Sequence, residues 1–186
     1  MSQTFPAFLT SRRLTLRRLH SDDATALCAY RSLPEVARYQ SWESFGPDDA
    51  AKLIDGQIGQ EPGIPGTWFQ LAIVETATDQ IIGDCGLHCL SNDPHHFEIG
   101  ITIAPHAQQR GCATEALDRV LTYVFDELGG QSVSATTDAL NAPAAALFKR
   151  LRFRQSPKVE RVLFKGQMGS EFRFVLTKTE NASRHL

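Results

Sequence analysis

Phe97-Glu98-Ile99-Gly100-Ile101-Thr102-Ile103 alternates strictly between apolar and other residues, and Gln108-Gln109-Arg110-Gly111-Cys112-Ala113 follows as a turn rich in small residues. An amphipathic stretch then opens at Thr114. Period two predicts a half-buried strand, and the spacing of Ala113, Ala116, Leu117, Val120, Leu121, Val124 and Leu128 predicts one face of a helix that Gly129-Gly130 ends. A strand leading through such a turn into a helix is an anion cradle. The turn's N–H groups and the first helical turn point the same way, and the helix dipole adds partial positive charge there. Gly111 and Ala113 keep side chains from blocking the approach of a phosphate to those N–H groups, and Arg110 is expected to supply a cation.

Outward from this segment, the chain reads as an ordered series of elements. Leu14 and Leu16 alternate with Thr15 and Arg17 as a first strand. Ser21 is the expected cap of a helix bearing Ala24, Leu27 and Ala29-Tyr30. Pro34 opens a short helix through Tyr39, and Pro47 opens a third carrying Ala51, Ile54 and Ile58. Trp68–Val74, Gln80–Leu90 and His96–Ile103 read as strands joined by short turns, hence antiparallel neighbours. After the cradle helix come a strand over 131–136, a helix capped by Asn141, and a closing hairpin from Val159–Lys165 and Glu171–Lys178. The order β-α-α-α-β-β-β-α-β-α-β-β gives an α+β layered domain. The strands flanking the cradle helix should run parallel, because a helical crossover joins them.

The cradle is neither of two familiar phosphate loops. No Lys-Ser/Thr pair follows a glycine-rich run, and no G-x-G-x-x-G follows a strand. What it does present is Q-x-x-G-x-A, which resembles the acetyl-CoA pyrophosphate loop of the Gcn5-related N-acetyltransferases (GNAT). Asn141-Ala142-Pro143-Ala144-Ala145-Ala146-Leu147-Phe148-Lys149-Arg150-Leu151-Arg152-Phe153 looks like that family's second signature, N-x-x-A/S-x-x-L-Y-x-K-x-G-F. Arg13-Leu14-Thr15-Leu16-Arg17-Arg18-Leu19, Ser21-Asp22-Asp23-Ala24 and Pro34-Glu35-Val36-Ala37-Arg38-Tyr39 resemble the opening of the branch that acetylates ribosomal-protein N-termini. The resemblance implies a single GNAT-like three-layer domain over 1–186, with a mixed, mostly antiparallel sheet and helices on both faces. It is strongest over 12–153, with the closing hairpin at 159–178. It also implies that the two parallel strands splay and that a pantetheine arm enters the wedge.

Composition sets further bounds. A chain of 186 residues with 42% hydrophobic content can bury a substantial core as one domain. With 19 basic and 21 acidic residues there is no basic field for nucleic acid. No run approaches the roughly 20 apolar residues of a membrane span. Met1–Leu9 lacks the basic region of a signal peptide, so a cytoplasmic location is expected. Cys28, Cys85, Cys89 and Cys112 suit a reducing compartment. A zinc site from Cys85, His88, Cys89, His95 and His96 is not expected. Cys85 and His88 point to opposite strand faces, and Cys85 and Cys89 lie about 13 Å apart, whereas zinc ligands converge within ~2.0–2.3 Å of one ion.

An acetyl-CoA transferase must bind a polyanionic co-substrate, present a neutral amine, and accommodate the departing thiolate. For binding, the backbone from Gln108 and Gln109 through Arg110, Gly111, Cys112 and Ala113 to Thr114 is the expected pyrophosphate site. The resemblance adds main-chain pairing of Ile101 and Ile103 with the pantetheine amides, a hydrogen bond from Asn141, and contact at Phe148. Asn141 is equally a plain helix cap. Glu98 shares a strand face with Gly100 and Thr102 and is the candidate base. It lies about 16 Å along the strand from the cradle, which suggests action through water, and its alternative is a cross-strand-paired carboxylate. His88, His95 and His96 are weaker candidates, Glu115 reads as structural, and Trp42, Trp68 and Phe69 are candidate acceptor-pocket aromatics.

The proton donor is where the sequence departs from the family. Phe148 stands where relatives carry Tyr, Ala144 where others carry Ser, and Arg152 where Gly is usual. The implied acceptor is a small-molecule amine or a protein N-terminus, and the family leaves room for a homodimer. Two alternatives stay open: a non-catalytic acyl-CoA-binding or sensing module, favoured by Phe148 and Ala144, and an ATP-binding protein, disfavoured by the missing Lys-Ser/Thr pair.

Overall fold

The computed structural model describes residues 7–183. The readings on Met1–Pro6 and on the last three residues lie outside them. The strands are β1 (Leu9–Thr10), β2 (Leu14–Arg18), β3 (Trp68–Glu75), β4 (Gln80–Cys89), β5 (His96–Ile103), β6 (Ser132–Asp138), β7 (Arg154–Phe164) and β8 (Gln167–Thr177). The helices are α1 (Ala24–Arg31), α2 (Pro34–Ala37), α3 (Pro47–Asp55), α4 (Cys112–Thr122), α5 (Ala142–Arg150) and α6 (Lys178–Ala182). The sheet order is β1-β2-β3-β4-β5-β6-β8-β7. Among the described residues, β5 and β6 run parallel and the other neighbours antiparallel, as a mixed α+β sheet requires.

Alternation along the strands divides the core in two. One face carries Leu14, Leu16, Phe69, Leu71, Cys85, Leu87, Phe97, Ile99, Val133 and Phe174, packed against Ala116, Leu117, Val120 and Leu121 of α4 and Leu147 of α5. The other carries Ala72 and Val74 under Leu27 and Tyr30 of α1 and Ala50 and Ile54 of α3. Each fully buried Leu, Ile or Phe contributes about 1.5–3 kcal/mol, so these clusters fix the three layers.

Several boundaries move from their expected places for identifiable reasons. Ser21 is not the first cap. Asp23 accepts the His20 N–H at 2.8 Å and closes a short 3-10 turn ahead of α1. In α3 the buried positions are Ala50 and Ile54, whereas Ala51 is exposed and Ile58 lies past the helix end, 77% exposed. α2 stops at Ala37, short of Tyr39. α4 opens at Cys112 rather than Thr114, and its continuation, Tyr123–Glu127, widens into a π turn in which the Leu128 N–H reaches the Tyr123 carbonyl at 3.1 Å. The closing hairpin is longer than expected. Its turn, Lys165-Gly166, has φ of 50° and 74°, the primed geometry that matches strand twist. Pro157 sits on its edge strand, where a missing N–H is tolerated.

The parallel pair creates the site. β5 and β6 pair only at His96–Ser132, Phe97–Val133 and Glu98–Ser134. Beyond Glu98, β5 keeps its β4 partner through Ile103 but has no pairing with β6. The sheet therefore opens along Ile99–Ile103, and the expected splay is present.

Candidate active site

A cleft of about 450 Å³ occupies the opening. Its lining includes Ile101 and Ile103 of β5, Gln108, Gln109, Gly111, Cys112, Ala113 and Thr114 of the following turn, and Ala144, Leu147 and Arg150 of α5. Gln108 donates from Nε2 to the Ile103 carbonyl at 2.9 Å, folding the turn back onto the strand end. Gly111 is the N-cap of α4 at φ 80°, a left-handed conformation that glycine takes without strain, and Gln109 also sits at φ 60°. The first helical N–H with a backbone acceptor is that of Glu115, which donates to Gly111. Among the described residues, no N–H from Gln109 to Thr114 has an acceptor within hydrogen-bonding geometry. A row of unused donors at a helix N-terminus, beside an apolar cleft, suits a phosphate-bearing ligand.

Arg110 does not line this cleft. Its guanidinium pairs with Glu75 at 2.5 Å, and its carbonyl accepts from Arg13 Nη1 at 3.1 Å. Thr78 and Arg110 hold the Glu75 carboxyl below its ordinary range. Arg13 in turn is bound by Glu115, which accepts from the Arg13 N–H and Nε at 2.7 Å and from the Ser11 hydroxyl at 2.8 Å. Although burial pushes the Glu115 carboxyl up, these donors outweigh it and leave it below the usual range. Arg110 and Glu115 therefore brace the loop, and the Arg110 guanidinium is held by Glu75 rather than in the cleft lining. Among the described residues, the cation in the cleft lining is Arg150, whose Nη1 approaches the Thr114 hydroxyl at 3.5 Å. A signal for it was present, since Arg150 stands at the Lys position of the second signature.

Asn141 caps α5, its Oδ1 accepting from the Ala144 N–H at 3.3 Å, and it is absent from the cleft lining. Phe148 is also absent from the lining. It is 4% exposed and packs on Phe153 and Phe174 at ring distances of 5.5 and 5.3 Å. α5 runs from Ala142 to Arg150 with Asn141 as its cap. Arg152 adopts φ 63°, with the Phe153 N–H reaching the Phe148 carbonyl at 3.0 Å, a helix end that normally takes glycine.

The opposite sheet face is built from side chains. Cross-strand register aligns Trp68 with His88 and His88 with Glu98. His88 stacks on Trp68 at 4.8 Å and 13°, and its Nδ1 lies 3.2 Å from Glu98 Oε2. Glu98 is thus both at the split and paired across the sheet. His96 engages Ser134 at 2.8 Å through Nε2 and Ser132 at 2.9 Å through Nδ1; burial, with Arg173 nearby, pushes its pKa down. The ring of His95 lies at the exposed end of β5, 3.4 Å from the Gly129 carbonyl. Phe69 is a core residue, and Trp42 covers Arg31 at 4.3 Å.

Below Gly86 on the same face, Asp84 is 1% exposed and accepts from Tyr30 Oη at 2.5 Å, from Arg31 Nε at 3.1 Å and Nη2 at 2.5 Å, and from Gln70. Burial, reinforced by Asp84, pushes the Tyr30 hydroxyl well above its ordinary range. Nothing in the sequence reading pointed to this network, because its members lie on three separate elements. A second cavity, of about 400 Å³, lies between Arg38 and Tyr39, Asp138 and Leu140, and the turn at Lys165. Lys165 Nζ donates to the Ala37 and Trp42 carbonyls at 2.8 and 2.5 Å, tying the hairpin to the segment after α2.

Comparison with known proteins bears on this arrangement. The family model described as the acetyltransferase (GNAT) domain matches residues 13–154. The chain is similar to p20 of Bacillus licheniformis, an uncharacterized N-acetyltransferase, with 29% identity over 175 residues, 94% of this chain and 98% of that one. Among solved structures, a GNAT-family acetyltransferase from Bacillus anthracis superposes with a TM-score of 0.83 at 20% identity, covering 92% of this chain and 99% of that one. A spermidine N-acetyltransferase from Vibrio cholerae, solved with CoA and spermine, gives 0.78 at 20% identity and the same coverages, 92% and 99%. At these identities the structural matches speak for the fold.

Proposed function

As the chain belongs to the GNAT acetyltransferase family and is an acyl-CoA-dependent N-acyltransferase, we propose that it moves an acetyl group from acetyl-CoA to a primary amine by direct attack on the thioester. The observation that carries this reading is the run of unused N–H donors from Gln109 to Thr114 at the mouth of a cleft that the parted strands keep open. These donors and Arg150 would hold the pyrophosphate. The β6-facing edge of β5 at Ile101 and Ile103 would pair with the pantetheine amides. Acetyl-CoA supplies the activated acyl group; the chain orients it and manages the proton of the amine. Glu98 marks where that happens, because the strands part at Glu98 and Ser134. The strand length from the cradle to Glu98, about 16 Å, is the length along which the arm would lie.

The acceptor's charge has support on the same face. Asp138 stands opposite Glu171, and Glu171 opposite Glu160, across β6, β8 and β7. Burial, with Asp138 and Glu160 beside it, pushes the Glu171 carboxyl up. An acidic stripe of this kind raises the local concentration of a protonated amine. It suits a small polyvalent amine as well as a protein N-terminus. The opening segments that resemble the ribosomal-protein branch favour the latter.

The experiment is incubation with acetyl-CoA and a panel of amines, comprising N-terminal peptides and small mono- and polyamines, followed by mass analysis and free-thiol release. An acetylated product with stoichiometric thiol is expected for at least one class. Acetyl-CoA binding without product from any class would favour the acyl-CoA-binding alternative that Phe148 and Ala144 raise.

A further inference from the structure

We infer that His88, rather than Glu98, takes the proton from the acceptor amine, and that Glu98 is the residue that positions it. This rests on the acetyl-transfer reading above. A carboxylate only accepts hydrogen bonds, so the 3.2 Å contact from Glu98 Oε2 requires the proton of a neutral His88 ring to sit on Nδ1. Nε2 then carries the lone pair. Among the described residues Nε2 has no hydrogen-bonding partner, and the side chain keeps 19% of its exposure. Trp68, stacked face to face at 4.8 Å, fixes the plane of the ring. Orientation by a carboxylate behind one nitrogen, with the other left open, is how an imidazole is set up as a base.

The surroundings supply a place for the amine. Two pairs along the ladder from His88–Glu98, and so on the same face, Gly86 faces Gly100. A side chain at Gly86 would strike the Trp68 ring at 3.0 Å and Gln70 Oε1 at 2.8 Å, whereas one at Gly100 would meet nothing within 4 Å. The space over Gly100 is therefore open, beside the base and next to the point where β5 and β6 part. Four of the neighbouring polar side chains, His96, Arg173, Asp84 and Gln70, are already engaged. His96 has both nitrogens on serines, Arg173 approaches Ser134 at 3.4 Å, Asp84 is enclosed by Tyr30, Arg31 and Gln70, and Gln70 donates to Asp84.

The proton balance follows. His88 Nε2 takes one proton from the ammonium form of the acceptor, and Glu98 faces the resulting imidazolium. The freed nitrogen forms the C–N bond as the thioester C–S bond breaks. The sulfur keeps the bonding pair and receives the second amine proton, and His88 returns the first to solvent. No separate protein acid is needed, which accounts for a chain that carries Phe148 and Ala144 where relatives place donors.

Two measurements test this. In steady-state kinetics with the acceptor found by the panel, His88→Gln should lower kcat ~10²-fold or more, the usual scale for losing a general base. Glu98→Gln should cost less, because its amide oxygen can still accept from Nδ1. Neither should change acetyl-CoA affinity, and added imidazole should restore part of the rate to His88→Ala. Glu98→Gln equal to or more damaging than His88→Gln would overturn the assignment. Independently of turnover, nitrogen NMR of ¹⁵N-histidine protein should show His88 protonated at Nδ1 and not at Nε2, with that preference weakened in Glu98→Gln. An Nε2–H tautomer would overturn the inference even in an active enzyme. Absence of product from the wild type beside the expected tautomer would instead count against acetyl transfer.

Discussion

On the α4–α5 side of the sheet, the polar groups that face the cleft among the described residues are main-chain donors from Gln109 to Thr114, the β6-facing edge of β5 and the Arg150 guanidinium. On the α1–α3 side the polar groups are side chains, His88, Glu98, Trp68, Gln70 and Asp84, which cross-strand register brings together from β3, β4 and β5. A main-chain site depends on backbone conformation, so its essential residues are those that permit it, such as Gly111 at φ 80°. A side-chain site depends on charges held in register, and its weak point is a partner left unpaired. The same sheet thus carries one recognition surface sensitive to Cβ atoms and another sensitive to charge.

The largest expected effect falls on the charged side. Asp84→Ala removes the acceptor for Tyr30, Gln70 and the Arg31 guanidinium, which lies between Trp42 and Phe45 at 4.3 and 4.8 Å. Leaving that arginine buried without its partner should destabilise the protein by about 3–5 kcal/mol in denaturant unfolding. The fraction that stays folded should bind acetyl-CoA as the wild type does. A parallel loss of affinity would show that the two faces are not independent.

Gly111→Glu attacks the other side. It places a carboxylate at the cradle and forces a left-handed residue, while a Cβ there would approach Arg13 Nη2 at 3.4 Å. Acetyl-CoA affinity should fall a hundredfold or more, ~3 kcal/mol, by calorimetry, with a folded protein remaining. Unchanged affinity in a folded variant would remove the pyrophosphate assignment.

How much of this was legible before the structure follows the same division. The strand Phe97–Ile103, the cradle, the apolar face of α4 and the Asn141 cap are local patterns, and each appears within a residue or two of its expected place. The mixed sheet follows from connection lengths. What local pattern could not give is partnership at long range. Arg110 was expected at the ligand because it lies in the cradle, and its pair with Glu75, thirty-five residues away, has no local signal. Phe148 was expected at the cofactor from the resemblance alone, and its packing against Phe174 of β8 has no local signal. The His88–Glu98 pair requires the β4–β5 register, which strand prediction leaves free by a residue or two.

A pair of arginines sharpens the cofactor side. Arg150→Ala should weaken acetyl-CoA about tenfold, ~1.4 kcal/mol, an effect that shrinks as salt is raised, because its guanidinium faces the cleft. Arg110→Ala should weaken it less, and through the loop, since its partner is Glu75. Calorimetry at low and high ionic strength separates the two. A larger, salt-sensitive loss at Arg110 would mean that its pair with Glu75 opens for the ligand.

The smallest effect concerns Arg152, the exposed residue that ends α5 at φ 63°. Its own N–H reaches the Lys149 carbonyl, and that of Phe153 reaches Phe148, both at 3.0 Å, so the chain turns as it would around glycine. A side chain in this conformation costs about 1–2 kcal/mol, part of which glycine returns as greater freedom of the unfolded chain. Arg152→Gly should therefore stabilise the protein by about 0.5–1 kcal/mol, and Arg152→Asn by somewhat less, since asparagine also tolerates the left-handed region. Chemical denaturation with and without acetyl-CoA is the measurement. If both variants gain stability and keep their affinity, the arginine is a strained cap and nothing more. If the gain comes with weaker binding that high salt abolishes, Arg152 belongs with Arg150 among the cations of the cleft. The strain at the helix end would then be tied to holding the ligand, and the cofactor side would depend on charge more than its backbone donors suggest.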